Sequence, residues 1–205
     1  MIDSRPMLLA LDTSSAACTA ALFDADGRCV ARCDEVIGRG HSERLVPMIA
    51  DMLDGRIADR ILVGVGPGSF TGIRVGIAAA HGMAIGWGAE LSGMSSLALL
   101  AGGTEGDVAA SVIGGHGELF VQEFDGELRP KSDLLNAPPP AAAAATSAKI
   151  VAGSGARKLV DARGWGEARD LLPSAANALR LPEELRTLPA RPVYARAPDA
   201  KAKAA

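Results

Sequence analysis

The chain has 205 residues, 48% of them hydrophobic, which is enough to bury a core as one large domain or two small lobes. Its formal net charge of -3 argues against a protein that grips nucleic acid by itself, since phosphate binding requires clustered basic residues. The first residues lack the apolar run of a signal peptide, and no window approaches the roughly 20 apolar residues of a membrane span. These features predict a cytoplasmic protein with no membrane partner.

The chain has few cysteine and histidine residues, and their spacing does not indicate a metal site. The three cysteines lie in strand-like segments, where a free thiol acts as a small buried hydrophobe. The three histidines are scattered at positions 41, 81 and 116, without a His-x-x-x-His pair.

The first hundred residues alternate strand and helix patterns. Apolar runs at 7–11, 18–23 and 28–36, with a turn at 24–27, predict three antiparallel strands. Apolar spacing over 43–53 predicts an amphipathic helix that begins between residues 43 and 46, because Pro47 suits only a first turn, with Ser42 as its cap. A buried strand (60–65), a helix (71–87), a strand (89–92) and a helix capped by Ser95 or Ser96 complete this half.

The second half has weaker signals. Strands are predicted at 108–113, 118–124, 127–134 and 149–152, and a short helix at 173–181. The Pro/Ala-rich connection at 137–148 is predicted to be a surface segment without a helix, because its prolines block helix initiation and its alanines bury little. The end of the chain, from residue 191, is predicted to be extended and then disordered.

The helix predicted at 71–87 carries small residues at every fourth position, Gly72, Gly76 and Ala80. The glycine-rich turn before it is not a phosphate loop, because Phe70 and not Lys follows Ser69. Two interpretations of the small residues stay open. They could pack tightly onto the sheet of their own lobe, or they could form, with the helix at 43–53, a face on which two helices of another molecule pack as a four-helix bundle.

Four segments resemble a known family: LALDTSS at 9–15, HSERLVP at 41–47, GVGPGSFTGIRVG at 64–76 and PVYARAPDAK at 192–201. They resemble the TsaB (YeaZ) family, non-catalytic paralogues in the bacterial machinery that makes threonylcarbamoyl-adenosine in tRNA. The match is close to about residue 103; beyond it, GHGELF at 115–120 and the end of the chain carry it. The resemblance implies the two-lobed α/β fold of actin, Hsp70 and sugar kinases (ribonuclease H-like), with a lobe over 1–103 that carries the dimerisation helices and a reduced lobe over 104–205.

The resemblance also implies partners and a weak nucleotide site. TsaB-like proteins pair with themselves and with the catalytic paralogue TsaD, on which the ATPase TsaE acts, so tRNA would be contacted only indirectly. In this fold the residue at the end of the first strand orients magnesium, which makes Asp12, Thr13 and Ser14 candidates for weak ATP or ADP binding, although no cofactor is required. The candidate interface residues are Leu45, Met48, Ile49, Met52, Gly72, Ile73, Gly76, Ile77, Ala80 and Met83.

Catalysis is not expected of this chain. TsaD carries a His-x-x-x-His pair after the strand that follows the small-residue helix, whereas this chain has GMSSLALL at 93–100, and serine and leucine do not replace imidazole ligands. The predicted function is an accessory, dimerisation and activating subunit of the threonylcarbamoyl transfer complex. The alternatives are an autonomous actin-fold ATPase or kinase, a metal-dependent peptidase-like enzyme, and a homodimeric regulator outside tRNA modification.

Overall fold

A computed structural model describes residues 7–193 as two five-stranded sheets with helices. In the first sheet, β1 to β3 form an antiparallel meander, and β4 and β5 run parallel to β1 in the order β3-β2-β1-β4-β5. The predicted meander is therefore confirmed. The strands are β1 (Leu8–Asp12), β2 (Ala17–Phe23), β3 (Cys29–Val36), β4 (Arg60–Gly64) and β5 (Glu90–Met94).

Three helices connect or follow these strands. The helices α1 (His41–Leu53) and α2 (Phe70–Trp87) pack on one face of the sheet, and α3 (Ser96–Ala101) lies on the other, between the two sheets. Leu9 and Leu11 of β1 point to the α1–α2 layer, whereas Leu8 and Ala10 point to α3, as the period of two in a strand requires. β1 is thus buried on both faces.

The second sheet repeats the topology of the first. Its order, β8-β7-β6-β9-β10, again has three antiparallel strands followed by two parallel ones. Several elements are shorter than their counterparts, so the predicted two-lobed α/β fold with a reduced second lobe is confirmed. The elements are β6 (Val108–Ile113), β7 (Leu119–Phe124), β8 (Leu135–Ala137), α4 (Pro139–Ala144), β9 (Ile150–Ala152), α5 (Ala156–Arg163) and β10 (Glu167–Arg169).

The chain returns from the second lobe to the first after β10. The 3-10 helix Ala175–Arg180 is tied to β2 by a hydrogen bond of 2.8 Å from the amide of Ala175 to Thr19 Oγ1. Leu188 then pairs with Gly93 of β5, and the amide of Val193 donates to the carbonyl of Val65 at 2.9 Å. This segment holds the two lobes together at the side of the first sheet.

The start of α1 and the strand at 127–134 were predicted wrongly. α1 begins at His41, directly after Gly40, so Ser42 is not its cap and Pro47 lies beyond the first turn. The φ of 89° at Gly40 and a contact of 3.2 Å between His41 Nε2 and the Ala17 carbonyl oxygen account for this earlier start. The strand expected at 127–134 is a turn, and β8 follows it.

The Pro/Ala-rich connection forms α4, contrary to the prediction. Pro139 and Pro140 occupy its first two positions, where a missing amide hydrogen costs nothing, and Ala142 is buried in the second-lobe core, which contains α5. The prediction of an extended, disordered end from residue 191 lies outside the described residues beyond Val193. In the described part of the chain, no helix is both long enough and apolar enough to cross a membrane.

Candidate functional site

Asp12 ends β1 and is fully enclosed, with 0% of its surface exposed. Its Oδ1 accepts hydrogen bonds from the amide and the hydroxyl of Ser14, at 2.8 and 2.7 Å. Its Oδ2 accepts from Ser96 Oγ at 2.6 Å, and that hydroxyl in turn accepts from the amide of Gly66 at 3.0 Å. The carboxylate thus joins β1, the turn after β4 and the start of α3.

The burial and the hydrogen bonds of Asp12 are typical of a structural carboxylate, and not of a magnesium ligand that is open to solvent. Burial raises the pKa of its carboxyl group, although the hydrogen bonds from Ser96 and Ser14 oppose that shift. A Cβ on Gly64 would lie 1.8 Å from Asp12 Oδ2, so only glycine lets β4 approach this closely.

Thr13 and Ser14 connect the same turn to α2. Thr13 Oγ1 donates to the carbonyl of Gly72 at 2.7 Å, and the amide of Ser69 donates to the carbonyl of Ser14 at 2.7 Å. The three residues proposed for weak nucleotide binding therefore stabilise the turn between β1 and β2 and attach it to the start of α2. Nucleotide binding by them stays a prediction, and their hydrogen bonds are accounted for without it.

The small residues of α2 face their own lobe. A Cβ on Gly72 would lie 2.0 Å from the carbonyl oxygen of Thr13, and one on Gly76 would lie 2.5 Å from Thr13 Oγ1. Ala80 is 0% exposed. Of the two interpretations of this spacing, close packing onto the sheet of the same lobe is the one that the structure supports.

Most of the predicted interface residues are buried in the single chain, and their role in partner binding stays a prediction. Only Met52 and Met83 are partly exposed; the others are buried in the core beneath α1 and α2 and are not available to a second molecule in this conformation. The buried residues are Leu45, Met48, Ile49, Gly72, Ile73, Gly76, Ile77 and Ala80.

The outer sides of α1 and α2 carry a second set of small and apolar residues. Ala78, Gly82 and Gly86 are exposed at every fourth position of α2, and the space around the two glycines is open. Ile85 beside them is 84% exposed, and Val46 on α1 is 50% exposed. We call these residues, together with exposed Ala50, the α1–α2 face. The spacing was visible in the sequence, two residues out of phase with Gly72, Gly76 and Ala80.

A cleft of about 880 Å³ lies between the lobes. Phe70, Ile73 and Arg74 of α2 line one side, with the Arg74 guanidinium 3.9 Å from the centre of the Phe70 ring. Val112 and Phe120 line the other side, together with Ser154, which follows β9. Its size suits a small ligand. Among the described residues that line it, no side chain is acidic.

The segment at 93–100, where the resemblance places the imidazoles of TsaD, is used for structure. Ser95 caps α3 by accepting from the amide of Ala98 at 3.2 Å, and Ser96 binds Asp12 and Gly66. Within residues 7–193, no group of three or more His, Cys, Asp or Glu side chains is arranged to hold a metal ion.

Comparison with known families identifies the chain. Residues 34–147, more than half of the sequence, match the family model described as "TsaD: tRNA N6-adenosine threonylcarbamoyltransferase". The chain belongs to this family. Within it, the resemblance to TsaB (YeaZ) proteins is confirmed by the relatives and structures described next.

Two curated relatives are named "tRNA threonylcarbamoyladenosine biosynthesis protein TsaB". The protein of Escherichia coli (strain K12) is 40% identical over 101 residues, which cover 47% of this chain and 43% of that protein. The protein of Haemophilus influenzae is 38% identical over 99 residues, which cover 46% of this chain and 41% of that protein. The chain thus matches less than half the length of these two TsaB relatives.

Solved structures of YeaZ proteins resemble the whole fold. A structure described as YeaZ from Pseudomonas aeruginosa has a TM-score of 0.77 and 31% identity, and the match covers 92% of this chain and 100% of that chain. A second P. aeruginosa structure, of an uncharacterized protein similar to peptidase YeaZ, has a TM-score of 0.79 and 33% identity, with 93% and 100% coverage.

Proposed function

We propose that the chain is a non-catalytic accessory subunit of the cytoplasmic machinery that makes threonylcarbamoyl-adenosine in tRNA. It would bind a TsaD-like catalytic paralogue, or a second copy of itself, and a TsaE-like ATPase would act on the resulting pair. Membership of the TsaD family and similarity to proteins named for this pathway support the assignment. tRNA would be modified on the paralogue, and this chain would require no cofactor of its own.

The observation that carries the non-catalytic role is the use of Ser95 and Ser96. A catalytic family member needs imidazole ligands for a metal ion in this segment, according to the resemblance. Here one hydroxyl caps α3 and the other hydrogen-bonds to the buried Asp12 carboxylate, so both are committed to local structure. Hydroxyl groups in this arrangement are poor substitutes for the nitrogen ligands of a borderline-soft metal.

The α1–α2 face is the surface that we propose for partner binding. Its exposed small residues would let the helices of a partner approach closely, and exposed Ile85 and Val46 would supply apolar area that association removes from water. A patch on two neighbouring helices can pair with its equivalent on a paralogue in the same way as with itself. The buried residues predicted from the sequence stay a separate prediction.

The test is a large, charged side chain placed on this face. Ala78→Arg should block close approach of a partner helix, whereas Ala144→Arg adds the same side chain at an exposed alanine of α4 in the other lobe. We expect the Ala78 variant alone to lose capture of the TsaD-like paralogue and to elute from size-exclusion chromatography as a monomer. Unchanged capture and elution in a variant with native thermal unfolding would refute the assignment of this face.

Gly76 is unsuitable for this test. A substitution such as Gly76→Leu would place its Cβ 2.5 Å from Thr13 Oγ1, so it would perturb the lobe itself before it reached any partner. Loss of binding in that variant would not distinguish an interface from a folding defect.

A further inference from the structure

The turn between α5 and β10 exposes an aromatic ring beside a fixed cation. Trp165 is 48% exposed and lies between Gly164 and Gly166, whose φ values of 74° and 107° allow the reversal of the chain that presents the indole outward. The guanidinium of Arg163 stacks 3.8 Å from the centre of the indole ring. One face of the indole is therefore paired with a positive charge, and the side chain keeps about half of its surface in water.

The position of Arg163 is fixed by the backbone around it. Its Nη1 donates to the carbonyl of Ala148 at 2.9 Å, and its Nε donates to the carbonyl of Trp165 at 3.4 Å. A Cβ on Gly166 would lie 2.6 Å from Arg163 Nη2, so the glycine makes room for the guanidinium. Within the described part of the chain, Nη2 is buried without a hydrogen-bond partner, which leaves a donor of a permanently charged group unsatisfied.

The charge of this region is opposite to that of the whole chain. Residues 147–169 contain five basic and two acidic side chains, whereas the chain has a net charge of -3. Lys149, Arg157 and Lys158 are exposed, and none of them lies within ion-pair distance of a carboxylate among residues 7–193. Arg169 does pair with Glu167, at 2.8 Å, so the excess charge resides mainly on the other basic residues.

We propose that this surface, which we call the Trp165 surface (Lys149, Arg157, Lys158, Arg163 and Trp165), contacts the RNA substrate of the complex. An unpaired base would stack on the indole, which Arg163 holds in place, and the exposed side chains of Lys149, Arg157 and Lys158 would pair with neighbouring phosphates. Base stacking on an exposed aromatic side chain beside cations is the usual way in which proteins hold single-stranded RNA. RNA would use both features together, because its phosphates pair with the charges and its bases stack on the ring.

This inference rests on the proposed function, because that function supplies tRNA as the ligand. It also modifies it, since the chain would touch tRNA directly as well as through its catalytic paralogue. The surface belongs to the second lobe, whereas the α1–α2 face belongs to the first, so the two can be altered separately.

The test measures binding of a tRNA transcript by fluorescence anisotropy, for the full chain alone and bound to its TsaD-like paralogue. We expect Trp165→Ala to weaken binding by about 5- to 100-fold, the range that loss of one stacked base gives, and Trp165→Phe to restore most of it. Lys158→Glu should weaken binding and lower the slope of log affinity against log salt concentration. Arg28→Glu, at an exposed position of the first lobe, is the charge control and should leave the affinity unchanged.

Equal tRNA affinity of the wild type, Trp165→Ala and Lys158→Glu would overturn the proposal, as would an equal loss in Arg28→Glu. Binding of polyglutamate but not of tRNA would also overturn it, in favour of an acidic protein partner. If Trp165→Ala loses tRNA affinity while the chain proves dispensable for tRNA modification, the RNA surface stands and the accessory-subunit function falls. If Trp165→Ala keeps its tRNA affinity while the chain is required for tRNA modification, the accessory-subunit function stands and the RNA surface falls.

Discussion

Gly72 should tolerate no side chain, although it lies in a helix. It is the third residue of α2, and a Cβ there would lie 2.0 Å from the carbonyl oxygen of Thr13. Carbon and oxygen atoms in contact normally stay about 3.3 Å apart, so Gly72→Ala must displace the β1 turn or the start of α2 by on the order of 1 Å. The same Cβ would lie 3.2 Å from Ser69 Oγ, the oxygen that caps α2.

The expected change in the free energy of unfolding of Gly72→Ala is the sum of three contributions. Overpacking costs about 1–3 kcal/mol, and a disturbed helix cap costs about 0.5–2 kcal/mol. Alanine recovers up to about 1 kcal/mol of helix propensity. We therefore expect Gly72→Ala to lower the free energy of unfolding by about 2 kcal/mol, which for a chain of this size lowers Tm by about 4–8 °C.

Gly82→Ala is the matched control in the same helix. No atom outside the backbone of α2 lies within 4 Å of its added Cβ, so in the monomer only the helix-propensity gain applies and the variant should be up to about 1 kcal/mol more stable than wild type. Urea denaturation of both variants, at one protein concentration, gives the comparison. Equal stability of the two would show that α2 does not pack on β1 as described.

Three further variants test the contacts around the two sheets. Burial raises the pKa of the Asp12 carboxyl group, so its ionisation opposes folding. The wild type should therefore lose stability relative to Asp12→Asn as the pH rises above 3.8. Parallel curves of unfolding free energy against pH for the two proteins, over pH 3–7, would contradict this. The Arg44 guanidinium lowers the pKa of Glu35 to about 2, so Arg44→Gln should raise that pKa back towards 4.5, as measured by NMR titration. In the wild type, the stability that this ion pair contributes should decrease as the pH falls towards 2. Glu123 is buried and accepts hydrogen bonds of 2.6 Å from the amides of Ser147 and Ala148. Glu123→Ala should therefore lower the free energy of unfolding by about 2–4 kcal/mol. The control Glu105→Ala, at an exposed position, should lower it by less than about 0.5 kcal/mol in the same urea assay.

The fold of the first lobe was predictable because its local signals agree with its topology. The apolar runs, the turn at 24–27 and the helix periodicity each specify one element, and the order of elements leaves few ways to build the sheet. In the second lobe, β9 was predicted at 149–152, but β10 has only three residues, too short for an alternation pattern, and α5 was missed because its eight residues bury only Ala156 and Leu159.

The site was less predictable, because spacing alone does not say which side of a helix faces inward. α2 has small residues on two sides, at 72, 76 and 80 and at 78, 82 and 86, and only the position of Thr13 distinguishes them. The carboxylate of Asp12 was expected near a ligand because it ends β1. Its enclosure depends on Ser96, a contact across 84 positions of sequence that no local pattern contains.

The central claim is that the chain is required by a catalytic partner and does no chemistry itself. The direct test reconstitutes tRNA threonylcarbamoylation with a TsaD-like paralogue, a TsaE-like ATPase, ATP and a source of threonylcarbamoyl-adenylate. Product should form with the wild-type chain and with Ala144→Arg, and should be lost when the chain is omitted or replaced by Ala78→Arg. Equal product without the chain, or product from the chain without the paralogue, would contradict the account.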